Sequence, residues 1–458
     1  MSYGKLIVPI ALGALGLVAC NALIGTRDLE LAAGDDGGGA STLDGSMPPV
    51  DSGSGGNDAG GHPDTGSVTP GDDSGSTPDG NTTGDDGGGS TDSGGNADAG
   101  PCNANVSSDV HNCGRCGHDC LTGDCDAGVC QPVAVAKAQG SPFGIAVDSA
   151  YVYWSAVQTG AVMRAKKDGT GLVALAEGDD AGASTPFAVA ADGTYVYWTN
   201  DQNPNDIIQG QVVSCDPSSC ATTRRVLRDH LYNPGAVAVD DAGVYWEEDF
   251  GANLGRVSKT GTGGGNLVTG QGGSGEVATD GTYAYFVTDN GVLGRVSNTA
   301  PVSADGGAFT TIYAPPSGFS PWGLAVDGTN VYWTEYGDPG AVLGAPKAGL
   351  TGGAQPISFS TSEHSPEGIV SDGVNVYWAN NGPNSGTNGA DVYVDGTIES
   401  CPIAGCPSAG PLVLASKQVW PKEIALDSDA IYWTNNGTYG NGGLNGPANG
   451  TVMKVAKP

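Results

Sequence analysis

The chain has 458 residues, 78 of them glycine, and only 15% are charged. Lys and Arg number 18 against 50 Asp and Glu, a formal charge of -32. A surface this acidic repels nucleic-acid phosphates and anionic lipid head groups, which excludes nucleic acid as a partner and favours cations, basic proteins or neutral glycans.

Residues 1–19 carry one Lys and an apolar run that suits a secretory signal peptide and is short for a membrane span. Leu17-Val18-Ala19-Cys20 resembles a bacterial lipobox. That resemblance implies cleavage before Cys20 and acylation there, with palmitate among the chains, and so a membrane anchor. Asn21 in place of Asp leans toward the outer membrane. The 11 Cys agree: without Cys20, ten remain, enough for five disulfides in an oxidising compartment.

Residues 32–100 hold 13 Asp and no Lys, Arg or Glu among repeated Gly, Ser, Pro and Thr. Such a segment buries too little apolar surface to offset its ordering entropy, so residues 20–100 are expected to form a disordered tether. Coil statistics give about 70 such residues a mean reach of roughly 45 Å. Residues 101–131 are a cysteine module of Cys102, Cys113, Cys116, Cys120, Cys125 and Cys130. Its "HNCGRCGHDC" core admits a zinc site with His111 and His118. After export, a knot of three disulfides is the simpler reading, and six cysteines allow about 15 pairings.

From residue 132 a repeat begins. Its anchors are Trp154, Trp198, Trp246, Phe286, Trp333, Trp378 and Trp433, each in a hairpin such as "GTNVYWT". Spacings of about 40 to 55 residues, with short strands and Gly-rich turns, are those of propeller blades. Each unit reads as four strands, a to d. The Asp that ends strand a (Asp148, Asp192, Asp240, Asp280, Asp327, Asp372, Asp427) fits turn chemistry. The chain ends on "GTVMKVAKP", a strand c, while "PVAVAKAQGSP" at 132–142 matches a strand d. The expectation is an all-β, seven-bladed β-propeller over 132–458, closed by its N-terminal strand. The "YWT" and "P-x-G-I-A-V-D" segments resemble YWTD and NHL-like propellers over about 325 residues, a likeness that implies fold and leaves function open.

In such folds the d–a and b–c loops share one face. The d–a turns place Phe143, Phe187, Gly235, Gly275, Trp322, Glu367 and Lys422 near the axis. The b–c loops add Asn200, Asp201, Glu247, Glu248, Asp249, Phe250, Asp289, Glu335, Tyr336 and Asn380. Rings beside carboxylates and amides suit a glycan, a peptide or a cation; alternatively the three aromatics of the turns plug the channel. The long b–c loops of units six and seven, rich in Asn, Asp and Gly, offer oxygen ligands to Ca2+, and no cofactor is otherwise indicated. On the opposite face, Cys215 with Cys220 and Cys401 with Cys406 are expected to form local disulfides.

Virginiamycin B lyases have similar repeats, and that likeness implies a His with nearby Glu residues and a divalent metal. "SEHSPEGI" supplies Glu363, His364 and Glu367; the only other propeller His is His230. The leading expectation is a monomeric, membrane-anchored lipoprotein of the cell envelope or surface that recognises a protein or glycan without catalysis. A metal-assisted lyase or hydrolase and a structural envelope component are the alternatives.

Overall fold

The structure, a computed structural model, describes residues 105–177, 185–201, 210–248, 253–271, 275–288, 290–315, 321–384, 393–438 and 449–458. The expected leader, Cys20, the tether and Cys102 lie outside the described residues, as do Asp249, Phe250 and Asp289.

Seven four-stranded antiparallel sheets carry the repeat. Blade 1 comprises strands Pro142–Val147, Tyr151–Ala156, Ala161–Lys166 and Val173–Glu177, a to d. Blades 2 to 6 follow the same order from contiguous chain. Blade 7 takes a, b and c from Pro421–Leu426, Ala430–Asn435 and Gly450–Ala456. Its strand d is Val133–Gln139, paired antiparallel to Gly450–Ala456. The ring is thus closed as the sequence predicts, and the sheet edge that an unmatched last strand would expose is covered.

The Tyr-Trp pair of each strand b explains how the blades stick. Neighbouring residues of a strand point to opposite faces. Each Trp therefore meets the preceding blade, and each Tyr meets the following one. Trp154 packs with Tyr432, Trp198 with Tyr153, Trp333 with Tyr285, and Trp433 with Tyr377. Trp154, Trp333, Trp378 and Trp433 are fully buried. Blade 4 substitutes Phe286, which packs with Tyr245.

The repeated Asp does more than turn the chain. In Asp327, Oδ1 accepts the backbone N–H groups of Thr329 and Asn330, while Oδ2 accepts the hydroxyl of Tyr332 at 2.6 Å. All seven blades make this Asp–Tyr bond. Four lysines then tie the rim of one blade to the Asp of the preceding one: Lys167–Asp427, Lys259–Asp192, Lys347–Asp280 and Lys457–Asp372.

Near the axis a hydroxyl links successive blades. Ser155 Oγ accepts the N–H of Gly144 and donates to the carbonyl of Phe187 in the next blade. Thr199 and Thr334 repeat the link. Thr434 donates to Phe143 O at 2.7 Å, joining blade 7 to blade 1.

The cysteine module packs on the last blades. Cys113–Cys125 and Cys120–Cys130 are disulfides, and Cys116 is also disulfide-bonded. Cys113, Cys120 and Cys130 approach one another, but their sulfurs are committed to disulfides and offer no thiolate to zinc. His111 pairs with Asp119, and His118 spans Cys113 O and Lys457 O. Cys215–Cys220 and Cys401–Cys406 are the two expected local bridges.

Candidate functional site: the aromatic face and the channel

The d–a turns bring the predicted residues to one end of the channel, but not all of them to solvent. Phe143 is buried and stacks on Phe187, with centroids 4.2 Å apart. Glu367 and Lys422, expected at the surface, are both buried. Lys422 Nζ lies 2.6 Å from Glu367 Oε1, and each side chain is 1% exposed. Asn381 Nδ2 donates to the same oxygen at 2.7 Å. The pair is inside because each charge satisfies the other where the turns of blades 6 and 7 meet. Gly235 and Gly275, in the turns of blades 3 and 4, have no side chain to offer.

From this pair an arc of rings runs across the face. Lys422 Nζ sits 4.6 Å from the Trp420 ring and 5.9 Å from Phe143. Trp420 packs on Tyr393 at 5.1 Å, whose hydroxyl is 3.4 Å from that of Tyr336. Tyr336 lies 5.9 Å from Trp322. Phe187 and Trp322 are half-buried, and Tyr336 is 37% exposed. Trp420 and Tyr393 were not expected here: Trp420 takes the place before the turn proline that Ser141, Asn233 and Ser365 hold in other blades, and Tyr393 follows a long loop.

The polar residues expected in b–c loops instead extend strand b. Asn200, Glu247, Glu248, Glu335 and Asn380 are buried strand ends, and Asp201 ends its strand beside Asn200. Their reason is local. Trp246 Nε1 donates to Glu248 at 3.2 Å and Trp333 Nε1 to Glu335 at 3.5 Å. Asn380 donates to Glu363 and to Thr397. Among those of the expected loop residues whose side chains are described, only Tyr336 is exposed. The long loops of blades 6 and 7 considered for Ca2+ fall mostly outside the described residues.

The proposed catalytic trio does not converge. His364 is half-exposed, and its Nδ1 lies 2.8 Å from Asp338 Oδ1. Glu363 is turned inward to Asn380, and Glu367 is held by Lys422. His230 stands apart on the outer strand of blade 2, beside Asp229.

Below the aromatic face is a cavity of about 170 Å3, walled by strand a residues from around the ring. The position after the turn residue is small in five blades: Gly144, Ala188, Ala236, Gly323 and Gly368. In blades 4 and 7 it is Glu276 and Glu423, and both line the cavity. A departure from the repeat at a crowded position was the available signal. Burial pushes the Glu276 carboxyl up to about 7. Burial, then the charges of Glu276 and Glu367, pushes Glu423 well up.

These groups give stability a pH dependence of definite sign. Burial raises the rim carboxyls, but hydrogen bonds from Lys347, Tyr283 N–H and Tyr285 outweigh it and hold Asp280 at about 2. Asp192, Asp327, Asp372 and Asp427 are lowered in the same way. Their contribution is complete above the unfolded carboxyl range and is lost as pH falls through the folded value. Glu276 and Glu423 act oppositely, because the folded chain holds their protons more tightly. Stability falls as pH rises from the ordinary 4.5 through about 7. The thermal midpoint is expected to peak at about pH 4–5 and decline toward about pH 8. Glu276→Gln with Glu423→Gln should flatten that decline by on the order of 3 kcal/mol. A decline of undiminished size in the double variant would assign it to other groups.

No family model matches the chain, and no curated protein matches it. Solved structures do. Streptogramin B lyase superposes with a TM-score of 0.50 at 10% identity, covering 71% of this chain and 97% of that one. The PQQ-bound aldose sugar dehydrogenase from Streptomyces coelicolor gives 0.41 at 16% identity, over 71% and 98%. A nidogen/laminin complex gives 0.36 at 19% identity, over 45% and 76%. At these identities the likeness is one of fold alone.

Proposed function

We propose that the chain is a monomeric, lipid-anchored envelope protein whose propeller recognises a protein or glycan without catalysis. The observation that carries this is the arc from Phe187 to Trp322, spread over several blades on one face. Rings with exposed edges and adjacent amides and hydroxyls suit the apolar faces and hydroxyls of sugars, or a peptide. The anchor rests on the Leu17–Cys20 lipobox resemblance, and the tether on the composition of residues 32–100.

Phe187→Ala, Trp322→Ala and Tyr336→Ala together are expected to abolish glycan-array or cell-adhesion signal in a protein that still melts cooperatively, at a lower temperature because half-buried rings are lost. An undiminished signal would remove the face from consideration. Cys20→Ser should abolish palmitate labelling; label that persists would sink the anchor.

The metal-assisted lyase or hydrolase reading keeps one favourable observation. Asp338 holds His364 through Nδ1, and the ring is half exposed, an arrangement a general base could use. His364→Ala is the discriminating variant: loss of a hydrolytic or lyase activity with ligand binding retained would favour the enzyme.

A further inference from the structure

We infer that the central channel is a binding site for an alkylammonium group, held between Glu276 and Glu423 beneath the aromatic face. The charge inventory carries the argument. Glu276 and Glu367 both act on the carboxyl of Glu423, and the one ammonium acting on it is that of Lys422. Lys422 is already spent on Glu367 at 2.6 Å. Glu367 is 0% exposed, yet its Oε2 has no hydrogen-bond partner among the described residues, and neither does Oε1 of Glu423. Buried polar atoms without partners are uncommon, and Glu423 is one of the residues that line the cavity. Burial holds the carboxyls of Glu276 and Glu423 above their ordinary range.

The walls choose the kind of cation. Apart from the two carboxyls they are largely aliphatic, with Val189, Leu324, Ile369 and Ile424 among them. A hydrated metal ion would set its water against these side chains. Nor do the three carboxyls converge on a single coordination sphere: among the described residues the one close ligand cluster is the disulfide-bonded Cys113, Cys120 and Cys130. An ammonium on a short methylene chain satisfies both surfaces, donating to the carboxylates and burying its carbons. The cavity of about 170 Å3 has room for several water-sized groups, enough for the five heavy atoms of a lysine side chain. The net charge of -32 draws such cations in. The ammonium could be a lysine of a bound protein or a free amine. The inference needs neither the membrane anchor nor the aromatic face.

The test is calorimetric titration of the full chain in detergent with n-pentylamine, 1-pentanol and CaCl2. Pentylamine is expected to bind at least tenfold tighter than pentanol, more tightly at pH 8 than at pH 6, with proton release. Glu276→Gln with Glu423→Gln should weaken it at least tenfold while melting as a folded protein. Tighter binding of Nα-acetyl-lysine methylamide than of pentylamine assigns the site to a protein side chain, and the reverse order to a free amine. The Phe187, Trp322 and Tyr336 triple variant should bind pentylamine unchanged, which separates this site from the face above. Pentylamine binding no tighter than pentanol, binding unaffected in the Gln pair, or heat with CaCl2 alone would overturn the inference.

Discussion

Lys422→Met is expected to destabilise the propeller by about 3–5 kcal/mol, the usual cost of removing one partner from a buried ion pair. The ammonium is 2.6 Å from Glu367 Oε1 with both side chains 1% exposed, so water cannot replace it. Its loss leaves Glu367 with the Asn381 amide alone and removes the one charge that offsets the repulsion on Glu423. The same arithmetic predicts rescue. Glu367→Gln added to Lys422→Met removes the uncompensated charge and should recover most of the loss, since neutral or apolar replacement of a whole buried pair is often tolerated. Chemical denaturation of the two variants decides it. A cost below about 1 kcal/mol for Lys422→Met would mean that the pair is solvated, as surface pairs are. The pair also explains why Trp420 is placed where it is. Its ring covers the ammonium at 4.6 Å from the place before the turn proline, where its φ of 56° repeats the left-handed backbone of Ser141, Asn233 and Ser365.

What was legible in the sequence followed the repeat. The anchors from Trp154 to Trp433, the turn Asp residues and the strand at 132–142 were readable because each blade must solve the same packing problem. Val331, Tyr332 and Trp333 of the "GTNVYWT" hairpin are adjacent and large, and all three are fully buried, as a strand packed on both faces requires. What was not legible arose where side chains from different blades meet. Glu335 and Asn380 look like loop residues by type; a tryptophan N–H in one case and Glu363 in the other bring them inside. The Asp–Tyr bond was half-readable: the turn showed the Asp, but the hydroxyl five residues on required strand geometry. Glu276 and Glu423 occupy a position where other blades carry Gly or Ala. That pattern marks them as departures, yet only ring closure brings blades 4 and 7 together across the channel.

Ring closure itself carries the second large effect. Val135→Asp in the closing strand is expected to cost at least about 4 kcal/mol: roughly 1.5–3 from the lost valine burial, and the remainder from a carboxylate placed in an apolar interface. Val135 is 6% exposed and packs with Ala136, Trp154 and Tyr432 between blades 7 and 1. Gln139 of the same strand accepts the Trp154 indole N–H at 3.1 Å, so displacement of the strand also strips a buried donor. The location matters more than the residue. Other blades take their strands from contiguous chain, whereas the pairing of Gln139 with Gly450 spans about 310 residues. Closing a loop of that length costs on the order of 5 kcal/mol of chain entropy, which the blade 7 contacts must offset last. A comparable substitution within an interior blade, such as Leu227→Asp, leaves the chain ends joined and should loosen one blade. Val135→Asp should instead open the ring, seen as early proteolytic cleavage near residues 133–142 and a broadened melt. A sharp melt within about 2 °C of the parent would show that the strand is an accessory and that seven blades close without it.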